Sequence, residues 1–173
     1  MPSLFQLPED IVIRLRAKGV ALDDEKAHYA SVKGMSPDDR SVVQYLYDRL
    51  NIIDNKASSI LTVNTISLSV SSVVLASGTG GTAFVRSQPP EVFVLAAIAV
   101  AVSIVAIFLT LAITRVKFDH ITPTRTFDEY RLEFFRITIA RQWILAAARM
   151  FTGLAFLFYA VLLGWALFRA RGW

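Results

Sequence analysis

The stretch NIIDNKASSILTVNTISLSV, Asn51 to Val70, decides the fold. It opens on Asp54, Asn55 and Lys56, turns apolar, and yet keeps admitting Ser, Thr and Asn. Ala57 to Ala76 is long enough, at ~1.5 Å per residue, to cross a hydrocarbon layer of ~30 Å. Nearly half of those residues are Ser, Thr or Asn, so a buried amphipathic helix is the competing reading.

Two further segments are plainer. Val92 to Thr114 carries no charge, and Met150 to Phe168 is almost wholly apolar. Across the 173 residues, 54% are hydrophobic and the mean hydropathy is +0.50, a composition beyond that of ordinary soluble domains. The expected fold class is an all-α integral membrane protein: three transmembrane helices, with long helices extending into a cytoplasmic stalk.

Basic residues set the expected orientation. The loop between the first two spans holds Arg86 alone, whereas the loop before the last span holds Arg115, Lys117, Arg125, Arg131, Arg136, Arg141 and Arg149. The positive-inside rule puts that second loop and the N-terminus in the cytoplasm. Arg169 and Arg171 then fall outside, a minor exception. The net charge of +4 suits the anionic inner face of a membrane better than a nucleic-acid partner. The opening MPSLFQLPED lacks a basic, then apolar, run, so no secretory signal is expected there.

Residues 1–35 form an N-terminal cytoplasmic segment. Residues 36–56 are the cytoplasmic part of a long helix that continues into the first span, 57–77. An outer loop covers 78–91, the second span 92–114, a cytoplasmic loop and amphipathic helix 115–149, the third span 150–168 and a tail 169–173. In MSPDDR, Ser36 is the expected N-cap and Pro37 the first helical residue, with Asp38 and Asp39 at the positive end of the dipole. Thr126 followed by Glu129 fits a capping box, opening a helix that continues from Phe127 to Phe168. Pro8 to Ala30 reads as one or two short amphipathic helices, with IVIRLR, Ile11 to Arg16, as a possible strand.

The odd span has angular order. With ~100° per residue from Asp54, the residues Ser58, Thr62, Thr65, Ser69 and Ser72 fall within about 80° of one another. Gln44, Tyr47 and Asn51 extend that face backward. A second, weaker stripe collects Asn64, Ser67 and Ser71. Two explanations stay open for the first stripe: helix packing through small hydroxylated residues, or a polar path lined by several copies. Ala160 and Gly164, four apart, add a small-residue pair that would suit a homo-oligomer.

At DNKASSILTVN the chain resembles the membrane effectors of Pycsar antiphage systems. The residues that carry the resemblance are Asp54, Lys56, Ala57, Ser58, Leu61 and Asn64, within a matching order of segments over residues 40–168. The resemblance implies a bacterial inner-membrane, multi-pass protein acting in antiviral defence by abortive infection. A neighbouring pyrimidine nucleotide cyclase would make cyclic CMP or cyclic UMP, and the effector would respond by impairing the membrane. It further implies a membrane-lipid setting and no metal. The chain lacks a recognisable cyclic-nucleotide-binding domain.

The nucleotide site is not assignable from sequence. Candidates are Arg14, Arg16 and Arg40 with Tyr29, Tyr45 and Tyr47, or Arg125, Arg131 and Arg136 with Tyr130 and Phe134, against the alternative of ordinary inner-face charge. Two readings stay open for the charged start of the motif: Asp54 pairs with Arg49 or a neighbouring chain while Lys56 reaches the interface, or both sit at a pore mouth or subunit contact that the signal rearranges. An enzyme is not expected: His28 and His120 are isolated, and no nucleophile or phosphate-loop motif occurs. There is no cysteine. The rival reading is a constitutive inner-membrane scaffold subunit with no nucleotide response.

Overall fold

The computed structural model describes residues 17–34, 38–80, 90–114 and 126–170. Among these there are four helices and no strand: α1 (Leu22–Lys33), α2 (Asp39–Gly80), α3 (Pro90–Thr114) and α4 (Phe127–Ala170). The possible strand Ile11 to Arg16, the cap residues Ser36 and Pro37, Arg86, His120 and the tail from Arg171 lie outside the described residues, as do Arg115, Lys117 and Arg125.

Each helix start has a chemical reason. Before α1, Asp24 reaches back and accepts the Ala21 backbone N–H at 3.1 Å. Three acidic residues fill its first turn, where the dipole favours them. Gly34 ends it in the left-handed conformation, φ 64°, and donates its N–H to the Ala30 carbonyl at 2.8 Å. α2 is capped by Asp38, two residues later than the expected Ser36. The Asp38 carboxylate accepts the Arg40 N–H at 2.8 Å and the Ser41 hydroxyl at 2.6 Å. Those hydrogen bonds, the Ser41 hydroxyl first, hold the Asp38 carboxyl below its usual range. α4 opens on the expected reciprocal box: Thr126 N–H donates to Glu129 at 3.0 Å and Glu129 N–H to Thr126 Oγ1 at 3.3 Å.

α2 and α4 run 42 and 44 residues without a break. α2 ends at Gly80 rather than Ser77, so Gly78 is helical and not the start of a loop. Gly153 lies inside α4.

The chain divides into two compact units. The first contains α1, the starts of α2 and α4 and the end of α3. Its core is Tyr29 from α1, Val42, Tyr45 and Leu46 from α2, and Phe135 from α4. Arg131 is buried beside it, bridging Glu25 at 3.2 Å, Asp39, and Asp128 at 3.7 Å. Nearby, Arg136 turns both Nε and Nη2 onto the Val20 carbonyl, at 3.2 and 2.6 Å.

The second unit contains the remainder of α2, α3 and α4. Its buried positions on α3 are Ala96, Ala99, Ser103, Ala106 and Thr110. Spacings of three and four put all five on one stripe, as in a helix seam, and small side chains there let backbones approach closely. Ser103 Oγ meets Tyr159 Oη at 3.3 Å.

Two helices are long and apolar enough to cross a membrane, Pro90–Thr114 and Phe127–Phe168. Only 22% and 6% of their most apolar stretches are buried within the chain, whereas a soluble core helix would be mostly covered. α2, which carries the first expected span, does not join them on the described residues. Its Ser, Thr and Asn content lowers its hydropathy. Three spans were expected; two helices meet the criterion.

Candidate functional site

The motif residues separate by face. In the first unit, Asp54 is half-buried and its carboxylate lies 3.7 Å from Arg141 Nη1 on α4. Burial pushes the Asp54 carboxyl up, and Arg141 pulls against that. Ala57 is fully buried, whereas Lys56 and Ser58 are exposed. In the second unit, Leu61 is half-buried and Asn64 is buried. Asn64 Nδ2 donates to the Ile60 carbonyl at 2.9 Å and to Thr152 Oγ1 on α4 at 2.8 Å. Asp54, Ala57, Leu61 and Asn64 therefore hold α2 within its own chain.

The expected partner of Asp54 was Arg49; Arg141 takes that place. Arg49 is turned aside by neutral oxygens. Its Nη1 donates to Tyr45 Oη at 2.9 Å, and its guanidinium carbon lies 5.6 Å from the centre of the Tyr45 ring. With its carboxamide turned oxygen-first, the orientation that satisfies both groups, Gln142 accepts from Arg49 Nε at 3.0 Å.

The two polar stripes of α2 have opposite fates. Asn64 and Ser71 are buried and Ser67 is half-buried, so the weaker stripe packs inward. Ser58, Thr62, Thr65, Ser69 and Ser72 are all exposed, as are Gln44, Tyr47 and Asn51 behind them. Thr65, Ser69 and Ser72 donate their hydroxyl protons to the carbonyls of Leu61, Thr65 and Leu68, at 2.8, 2.9 and 2.8 Å. Their oxygen lone pairs remain for an outside donor. Ala160 and Gly164 are exposed as well.

The sequence candidates for a nucleotide site do not assemble into one. Arg14, Arg16 and Arg125 lie outside the described residues. Arg40 is exposed in the first turn of α2. Tyr29 and Tyr45 belong to the core, their rings edge-to-face at 5.5 Å. Phe134 stacks on Tyr130 at 6.5 Å and contacts Tyr47 at 5.0 Å. Arg131 is neutralised by its carboxylates, and Arg136 is committed to Val20. Sequence reasoning missed the role of Arg49 with Gln142, because these partners stand 93 residues apart and share no local pattern.

Comparison with known protein families, with curated proteins and with solved structures finds no match for this chain.

Proposed function

We propose that this protein is a membrane effector of a cyclic-pyrimidine-nucleotide antiphage system. Cyclic CMP or cyclic UMP from a neighbouring cyclase activates it, and it then impairs the bacterial inner membrane. In this reading α2 supplies a third span beside α3 and α4, and the N-terminus is cytoplasmic. Several copies bring their Ser58–Ser72 faces together.

The observation that carries the reading is the outward polar face of α2. A helix in lipid hides its hydroxyls against neighbours or water. Here Asn64 and Ser71 are hidden and the five residues of the other stripe are not. The exposed apolar side chains, among them Ile98, Ile104, Met150, Leu157 and Leu163, suit lipid. The hydroxyl face suits a second copy or a wet path. The motif DNKASSILTVN adds the resemblance to the Pycsar effectors.

The test is dye release from liposomes carrying the purified protein, with cyclic CMP, cyclic UMP, cyclic AMP and cyclic GMP added separately. Release with a pyrimidine nucleotide alone is the expected result. Silence with all four, also in the presence of the neighbouring gene's product, refutes it. The rival, a constitutive scaffold subunit, is favoured by the four motif residues that serve internal packing. It predicts no nucleotide dependence and harmless overexpression.

A further inference from the structure

The first unit contains a cavity of about 310 Å³ between α1, α2 and α4. That is at the lower end of the range for small-molecule sites. Leu46, Ile139 and Val20 give it an apolar lining, and the rings of Tyr45 and Phe135 form aromatic walls. His28 sits at its edge, 5.8 Å from the Phe135 ring, with Nε2 3.5 Å from Tyr45 Oη.

Arg49 is the cation of this cavity. Its partners are the neutral oxygens of Tyr45 and, with the carboxamide turned oxygen-first, Gln142, and among the described residues no carboxylate pairs with it. Arg131 and Arg141 are both paired with acids, which makes the contrast informative. A guanidinium laid over a tyrosine ring and clamped by an amide is oriented before any ligand arrives, so little freedom is lost on binding. A planar cation on an aromatic face also stacks well on a flat ring. Two other groups add recognition. Thr138 lines the cavity with a hydroxyl, and Asp24 lines it with a carboxylate that accepts the Ala21 N–H through one oxygen. The second Asp24 oxygen favours a ligand that presents an N–H or O–H there and disfavours a second negative charge. His28 is held below its ordinary pKa by burial and by Arg49, so it faces the cavity as a neutral ring.

We infer that this cavity is a ligand site for a small molecule made of one planar ring, a hydrogen-bond donor and a single negative charge, with Arg49 as the anion contact. A cyclic pyrimidine mononucleotide has this chemistry; naming it rests on the function proposed above.

The test is equilibrium binding to the full chain in detergent, measured by calorimetry. The probes are cyclic CMP, cyclic UMP, cyclic AMP, cyclic GMP, the uncharged nucleosides cytidine and uridine, and inorganic phosphate. A pyrimidine cyclic nucleotide should bind. The matching nucleoside should bind about tenfold to a hundredfold more weakly, the loss expected when a charged hydrogen bond is removed. Arg49→Gln should lose affinity for the nucleotide by a similar factor, and Arg40→Gln, on the exposed first turn of α2, should not. The nucleoside comparison uses the unaltered protein, so it decides the charge requirement even if Arg49→Gln fails to fold. Four results overturn the assignment: no binding of any cyclic nucleotide, equal binding by Arg49→Gln, equal binding by the nucleoside, or phosphate or purine nucleotides binding as tightly. Binding and dye release are separate readouts. Release with unchanged affinity in Arg49→Gln sinks the cavity alone, whereas Arg49-dependent binding without release sinks the effector reading alone.

Discussion

Replacing Arg131 with Met tests what holds the first unit together. Arg131 and Glu25 are each about 1% exposed, so their ion pair is sealed from solvent. Removing one partner strands the other charge, and such losses run to about 3–5 kcal/mol. Two of the three acids around Arg131 remain open to water, which places the expectation at the lower end, near ~3 kcal/mol. The other two contacts count for less. Asp39 and Asp128 are 63% and 60% exposed, and an exposed pair contributes at most about 1 kcal/mol. Asp128→Asn should therefore cost at most about a third of what Arg131→Met costs. The double variant Glu25→Leu with Arg131→Met should return to within about 1 kcal/mol of wild type, because no buried charge is left behind and Asp39 and Asp128 are open to water. Urea unfolding in mild detergent, followed by circular dichroism, reads these differences. An Arg131→Met protein within about 0.5 kcal/mol of wild type would refute the reasoning. So would a double variant as weak as the two single losses combined.

Three further outcomes are expected. Burial pushes the Glu25 carboxyl up, with Arg131 pulling it down, so in Arg131→Met its folded value should rise further. A raised folded value means that the native state holds the extra proton, so this variant should gain stability as pH falls towards 4.5, the ordinary glutamate value; a stability flat between pH 7 and 5 would contradict that. Asn64→Ala should cost about 0.5–1.5 kcal/mol, the range for a net intramolecular hydrogen bond, as read by unfolding in sodium dodecyl sulfate; no measurable loss would mean that the Thr152 contact is idle. Thr65→Leu with Ser69→Leu should leave the protein inserted and folded, since both residues are exposed, but abolish dye release; release equal to wild type would remove the stripe from the path.

The long helices were legible because their signals are local. Thr126 and Glu129 are three apart and form the box the spacing predicts. The cap of α2 was misplaced because Ser36 and Asp38 are both good caps two residues apart, and only the Arg40 and Ser41 amides choose between them. The polar stripe followed from angle arithmetic, but which stripe turns inward did not, since that depends on Thr152, 88 residues away from Asn64. The small-residue seam of α3 was present in its 3-4-3-4 spacing. Uniform apolarity concealed it, because hydropathy scores Ala and Ile alike as membrane-compatible. Arg131 read as ordinary inner-face charge; a basic residue in sequence carries no sign that three acids surround it.

The unbroken length of α2 makes the spacing of its residues matter as angle as well as distance. No break in the helix lies between Asp39 and Gly80. At ~100° per residue, Arg49 shares its phase with the inward residues Asn64, Ser67 and Ser71, while Thr65 and Ser69 point away from that sector. The helix can be retimed only by changing its length: one alanine inserted after Asn55 swings everything beyond it by ~100°, whereas four restore the phase to within ~40°. Function that survives the four-residue insertion and dies with the single one would show that the angular register along α2 matters.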